Sequence, residues 1–296
     1  MQPATVLKTF RLPFLVLTPV SVLLGASIAL ASHTPVDNVM IALVLAGAVA
    51  AHISVNALNE YHDFSSGLDL QTSRTAFSGG SGALPEHPEA APAVLIAGLL
   101  SLLATMTIGG SLIVIAGKSI LPIGIAGIVL VVTYTQWINR SPLLCLIAPG
   151  AGFGILMVVG THLVLTGNYS GPIWPVSLVP FFLTNNLLLL NQYPDINADA
   201  SVGRKTFPIA FGINKSNLAY AFFMIAAYAT VVVLVATRQI PVTGMMALLP
   251  IPLSLFALGG AIRYSSRIGE HPGYMAANVA AAILTPLLLG IAIITG

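Results

Sequence analysis

The sequence predicts an all-α polytopic membrane protein, with nine transmembrane helices in a single bundle around a cytoplasm-facing cavity. Three observations carry that expectation. Hydrophobic residues make up 56% of the 296-residue chain and charged residues only 7%, against about a quarter charged in an ordinary soluble protein. The mean hydropathy is +0.94. The charged residues, 11 basic plus 9 acidic and so 20 in all, are also unevenly spread and punctuate long charge-free runs. The net charge of +2 points to no particular partner, and no nucleic acid is expected.

A helix needs roughly 20 apolar residues to cross a bilayer. Helix 1 is placed in the charge-free run 12–36, as a retained anchor with no cleavage pattern before it. Helix 2 fills 38–59, helix 3 fills 90–117 with Pro92 near its first turn, and helix 4 fills 119–139. The run 141–194 is too long for one span and holds helices 5 and 6, parted by the turn-forming segment 166–172. Helix 7 fills 216–237 with Asn217 as its cap, helix 8 fills 239–262 and helix 9 fills 271–296. Gly150, Gly152, Gly154 and Gly160 in helix 5 suit close helix packing. The single cysteine, Cys145, excludes an intrachain disulfide. The expected organisation is one domain, 1–296, with pseudo-repeat halves of about 1–138 and 139–296.

Nine spans put the termini on opposite sides and sort the loops into two sets. One set holds Lys8, Arg11, Arg74, Arg140, Arg204, Lys205, Lys215, Arg263 and Arg267; the other holds only Lys118 and Arg238. Cytoplasmic loops carry the excess of Lys and Arg. The N-terminus and the charged loops are therefore expected in the cytoplasm, on an integral inner (plasma) membrane protein. Eight of the nine acids share that side, and Asp37 alone lies opposite. Topology does not require this of acids, so the crowding suggests a site.

Two acidic clusters stand out. Asn56, Asn59, Glu60 and Asp63 fall at i, i+3, i+4 and i+7 and share one helical face at the end of helix 2, with Gly67 as a stop and Asp69 just beyond. Asn191, Asp195 and Asp199 repeat at four-residue spacing at the end of helix 6, where Pro194 should bend the chain. Residues 58–64 align with 190–196, matching at Leu, Asn, Tyr and Asp. So many carboxylates around one cavity would repel one another without cations. Hard oxygen ligands suit Mg²⁺ or Ca²⁺, and Mg²⁺ commonly joins a few carboxylates to a substrate phosphate. Arg74, Arg204 and Lys205 follow the clusters and can hold phosphate oxygens. The residues thus point to a Mg²⁺-bridged diphosphate. A secondary transporter is the alternative from another class, although its charges should lie nearer mid-membrane. The run 78–82, Ser-Gly-Gly-Ser-Gly, lacks the Gly-Lys-Ser/Thr of a phosphate-binding loop and is weak evidence. His52, within a span, is expected to make a buried hydrogen bond.

Asn59-Glu60-x-x-Asp63 followed by Asp69, and Asp195-x-x-x-Asp199 followed by Gly203-Arg204-Lys205-Thr206, resemble the two signatures of the UbiA superfamily of intramembrane prenyltransferases. Within it the chain is most similar to the 1,4-dihydroxy-2-naphthoate prenyltransferases of menaquinone synthesis. The resemblance implies Mg²⁺-dependent transfer of a polyprenyl group from its diphosphate to an aromatic acceptor, in contact with the bilayer. It implies Asp63, Asp195 and Asp199 as catalytic residues. It implies metal binding by Glu60, Asp63, Asp69, Asp195 and Asp199. Substrate binding falls to Asn56, Asn59, Arg74, Asn191, Arg204 and Lys205, with Tyr134 and Arg140 on the acceptor side. Other acceptors known in the superfamily, such as 4-hydroxybenzoate, glycerol phosphate, haem or chlorin, are the alternatives. The chain departs from the family at Glu60, where Asp is usual, and in 141–145, where an acidic residue is usual.

Overall fold

The computed structural model describes residues 3–32 and 35–296, and no β-strand occurs among them. Among the described residues, nine principal helices can be followed: α1 (Leu17–Ala31), α2 (Asn38–Ser65), α3 (Ala91–Ala116), α4 (Leu121–Thr133), α5 (Pro142–Thr166), α6 (Ile173–Asn191), α7 (Phe207–Ala236), α8 (Ile251–Tyr264) and α9 (Pro272–Thr295). Among the described residues, eight helical segments are long and apolar enough to cross a membrane, and α4 with its leading turn is a shorter apolar helix, Lys118–Thr133. The 13 residues of α4 rise only about 20 Å, short of a roughly 30 Å hydrocarbon core. The expected continuation to 139 breaks into turns. There Thr135 Oγ1 donates to Asn59 Oδ1 at 3.1 Å, and Gln136 meets His62 at 3.2 Å.

Helix α6 occupies the centre, packed against α5, α7 and α9, while α1 lies between α5 and α9. Leu183, Leu187 and Leu190 join Tyr220, Phe223, Met275 and Leu289 in the main core. A polar clasp crosses that core. Asn186 Nδ2 donates to the Tyr220 carbonyl at 2.9 Å, Tyr220 Oη to Asn278 Oδ1 at 2.8 Å, and Asn278 Nδ2 to the Asn186 carbonyl at 3.1 Å. Such interhelical bonds contribute about 0.6–2 kcal/mol each where water is absent. Helix α3, by contrast, packs mainly on α2 and leaves Leu99, Leu100 and Leu103 at least half exposed. Those faces suit lipid, not water.

Two glycines of α5 set its distance from α6. A Cβ at Gly150 would meet the Phe181 carbonyl oxygen, and one at Gly154 the Phe181 backbone nitrogen. Gly152 and Gly160 instead turn to the cavity. Pro149 cannot donate a helical hydrogen bond, and α5 passes directly into a π-helical stretch, Ala151–Leu156, with Gly150 N donating to Asn185 Oδ1 at 2.6 Å.

Two sequence expectations are corrected. Helix α7 begins at Phe207, with Thr206 at the N-cap position but making no side-chain capping bond, and is interrupted at Gly212 (φ 80°, ψ 165°). Asn217 therefore lies inside the helix and accepts a hydrogen bond from Tyr193 at 2.8 Å. The second acidic cluster is not one continuous helical face. Helix α6 stops at Asn191, and Pro194 leads into a separate short helix, Ile196–Ser201. Without an N–H, and with its ring against the preceding turn, Pro194 blocks continuation.

Candidate active site

Helix α2 has 28 residues and rises about 42 Å, so it outruns the roughly 30 Å hydrocarbon core. Asp37 caps its start, accepting from Val39 N at 2.8 Å. Asp63, near the other end, stands about 17 Å from the helix midpoint, where the cost of burying charge in lipid is reduced. Gly67 ends the helix region in the left-handed conformation (φ 79°), and Asp69 follows in the 3₁₀ turn Leu68–Leu70. Only glycine takes that backbone region without penalty.

A cavity of about 520 Å³ runs from Asp63 and Asp69 into the apolar interior of the helix bundle. Its polar end is lined by Asn56, Asn59, Asp63 and Asp69 from the first cluster and by Asn191, Asp195, Asp199 and Arg204 from the second. Tyr134, Asn139, Cys145 and Gln192 lie on its wall as well. Its apolar end runs between α2, α3, α4 and α5, past Gly47, Ala51, Ile108, Ile123 and Val164. His52 sits on this wall with its Nδ1 2.8 Å from Thr18 Oγ1, the buried hydrogen bond expected of it.

Arg204 ties the clusters together. Its guanidinium contacts Asp63 Oδ1 closely and reaches Asp199 Oδ1 at 2.9 Å. Asn59 Nδ2 donates to the other Asp63 oxygen at 2.7 Å. Asp195 Oδ2 accepts from Gly79 N at 3.0 Å. Several buried acceptors have no partner, namely Asp69 Oδ2, Asp195 Oδ1, Asn191 Oδ1 and Gln192 Oε1. A buried acceptor left unsatisfied costs about 1–3 kcal/mol, so these atoms await a donor or a cation. Burial pushes the Asp69 carboxyl up to about 8, reinforced by the Asp63 and Glu60 charges. Burial, and then the Asp199 carboxylate, pushes Asp195 up to about 7.

Among the described residues no three His, Cys, Asp or Glu side chains gather closely enough to hold a metal ion by themselves. Mg²⁺, however, is commonly bound by one or two carboxylates, with water and substrate phosphate completing the shell. The orphaned Asp69 and Asp195 oxygens fit that kind of site.

Several expected residues lie elsewhere. Glu60 is fully buried and off the cavity wall, with both oxygens engaged by Arg11 and Ser81. Arg74 is exposed, donating to the Ser81 carbonyl at 2.7 Å and pairing with Glu86 at 3.5 Å. Arg140 and Lys205 are exposed and do not line the cavity. Conversely, Arg11, Gln192, Thr206 and the turn 77–80 line it without having been singled out as site residues. Arg11 reads in sequence as a charge flanking a span. The glycine run was visible as a signal, but it matched no known phosphate loop.

Comparison with known proteins follows the same lines. The chain is 26% identical over 250 residues to a 1,4-dihydroxy-2-naphthoate octaprenyltransferase of Bacillus subtilis (strain 168), covering 82% of this chain and 78% of that protein. The apo structure of a UbiA homolog from Aeropyrum pernix K1 shares the fold with a TM-score of 0.69 at 19% identity, covering 93% of this chain and 96% of the other. A UbiA homolog from Archaeoglobus fulgidus, solved bound to DMAPP and Mg²⁺, superposes with a TM-score of 0.62 at 13% identity over 97% of this chain and 99% of the other. The model of the UbiA prenyltransferase family matches residues 18–268. An integral membrane bundle, two acidic clusters facing one cavity and this match together make the chain a member of the UbiA prenyltransferase family.

Proposed function

We propose that the protein transfers a polyprenyl group from its diphosphate to an aromatic acceptor, 1,4-dihydroxy-2-naphthoate or a related quinone precursor, with Mg²⁺ as cofactor. The observation that carries this reading is a cavity with acids from both clusters at one end and an apolar channel at the other. A prenyl diphosphate has the same polarity. Each methylene of its tail is worth about 0.8 kcal/mol when buried, which favours the channel between α2, α3, α4 and α5. The Bacillus subtilis relative supports the naphthoate acceptor, and the Archaeoglobus fulgidus homolog, bound to DMAPP and Mg²⁺, supports the donor and the metal.

Asp63, Asp69, Asp195 and Asp199 are the residues that would hold Mg²⁺, which when bound supplies Lewis-acid neutralisation of the diphosphate. Asn56, Asn59 and Asn191 would orient the oxygens of the diphosphate. Arg204 exchanges part of its contact with Asp63 and Asp199 for the diphosphate, so the leaving group meets a preplaced cation as the allylic C–O bond breaks. The electron pair leaves with the diphosphate, a ring carbon of the acceptor attacks the allylic carbon, and that ring carbon releases its carboxylate as carbon dioxide, whose bonding pair returns to the ring and restores aromaticity. Tyr134, Asn139 and Gln192 line the region assigned to the acceptor, whose hydroxyls suit the unpartnered Gln192 Oε1. Arg74, Arg140 and Lys205 receive no direct contact in this reading. The excess of Lys and Arg on one set of loops favours a cytoplasmic mouth.

Purified protein incubated with Mg²⁺, geranylgeranyl diphosphate and a panel of acceptors tests the reaction by product mass. A prenylated naphthoquinol, formed with loss of carbon dioxide, is the expected product. Transfer to 4-hydroxybenzoate or glycerol phosphate alone would overturn the acceptor, and transfer to none would overturn the reaction.

The raised Asp69 and Asp195 carboxyls also set a pH dependence. At about pH 6 both hold protons in the substrate-free protein, and a divalent cation must displace them. Affinity for Mg²⁺ with a non-reactive prenyl diphosphate analogue should therefore rise from about pH 6 to about pH 8.5 and then level off. Calorimetric titration in buffers of different ionisation heat would show the proton release; a flat profile would count against these two carboxylates as ligands.

A further inference from the structure

We propose that Glu60 is a positioning residue and not a metal ligand: it fixes Arg11 and the 79–81 turn against the diphosphate site. This rests on the site reading above and departs from it only in what Glu60 does. Glu60 is fully buried, while its partner Arg11 keeps 27% of its side chain exposed on the cavity wall. Glu60 Oε1 accepts from Arg11 Nε at 2.9 Å and lies 2.7 Å from Arg11 Nη2. The same oxygen accepts from Ser81 N at 2.8 Å, and Oε2 accepts from Ser81 Oγ at 2.6 Å. A carboxylate buried this deeply is tolerated only when paired and hydrogen-bonded, and Arg11 and Ser81 satisfy this one without a metal ion.

The two partners are the parts most in need of support. Arg11 holds a left-handed backbone (φ 51°), a conformation that costs a non-glycine residue energy unless its surroundings enforce it. The turn that carries Ser81 also carries Gly79, whose N–H donates to Asp195, and Gly80 (φ 75°), whose backbone comes so near that a Cβ would stand 3.1 Å from Asp69 Oδ1. Glu60 thus acts on the site in two ways. Through Arg11 it aims a cation at the cavity, and through the turn it steadies Asp195 from the second cluster. The additional methylene that distinguishes Glu from Asp supplies reach to span from α2 to both partners.

The test separates ligation from positioning. Mn²⁺ serves as the probe, read by electron paramagnetic resonance in the presence of a non-reactive geranylgeranyl diphosphate analogue. Glu60→Gln should bind Mn²⁺ with wild-type stoichiometry and within about twofold of wild-type affinity, while KM for the prenyl diphosphate rises about tenfold and kcat changes less than about threefold. A purely structural defect would lower the folded fraction without such a split. Ser81→Ala, which removes only one of the bonds, should move KM the same way by about threefold. Loss of Mn²⁺ in Glu60→Gln would make Glu60 a ligand and overturn the proposal, as would unchanged KM in both variants. Asp63→Asn is the control and should lose Mn²⁺. If it does not, the metal assignment of the site fails, and the Glu60 proposal is still decided by KM in Glu60→Gln and Ser81→Ala.

Discussion

Asp63→Asn is expected to lower Mg²⁺-dependent prenyl transfer at least about a thousandfold, equivalent to about 4 kcal/mol of transition-state stabilisation. The substitution changes almost no volume, so its effect is electrostatic. Asp63 is buried, takes the Arg204 guanidinium on one oxygen and the Asn59 amide on the other, and lines the polar end of the cavity. An amide cannot neutralise a metal ion and cannot balance Arg204. The second cluster should behave likewise, because Asp195 presents an unpartnered Oδ1 to the same space. The check is kcat/KM at saturating Mg²⁺, alongside expression level and membrane extraction, which should match wild type. Near-normal turnover would sink the assignment of Asp63 to the metal and leave its bond to Arg204 as a structural tie between clusters.

Gly150→Ala is expected to produce the largest loss of stability from the smallest addition of atoms. The new methyl would overlap the Phe181 carbonyl oxygen and stand 2.6 Å from the Asn185 amide. Neither can retreat easily. Phe181 contributes backbone in the centre of α6, and Asn185 already accepts from Gly150 N. Overpacking a tight core costs about 1–3 kcal/mol and occasionally more; here the obstacle is helix backbone, so about 3 kcal/mol or more is expected. In detergent the variant should melt well below wild type. It should also lose turnover, since the adjoining π-helical stretch carries Gly152, Phe153 and Leu156 on the cavity wall. A Gly109→Ala control, where a Cβ meets nothing within 4 Å, should melt as wild type does. Equal melting of both variants would refute the close-packing argument.

Much of this architecture is legible because a bilayer imposes simple rules on sequence. Charge-free runs mark helices, since an unpaired charge or an unsatisfied backbone group in hydrocarbon is too costly to recur. The rule fails where uncharged polar residues end a helix early. Residues 134–139 contain no charge, and the run looks like more of helix 4, yet Thr135 and Gln136 leave the helix to bond α2. Helical spacing correctly puts Asn56, Asn59 and Asp63 on the cavity. It puts Glu60 there too, because periodicity assigns a face and says nothing of who stands opposite. Arg11 and Ser81 stand opposite, from 49 residues before and 21 residues after in the chain.

Sequence alone therefore determined the membrane bundle, the two acidic clusters and the family signatures, all of which depend on local composition or on spacing within one segment. Only the tertiary structure decided which carboxylates reach the cavity, that Arg204 joins the clusters, and that Arg11 lines the same cavity. Those outcomes depend on contacts between segments distant in sequence, where a side chain's partner sets its role. The four-residue spacing of Asn191, Asp195 and Asp199 implied one helical face. Pro194 broke that helix, and all three residues still reached the same cavity, because the packing of α6 and the short helix after it sets their positions.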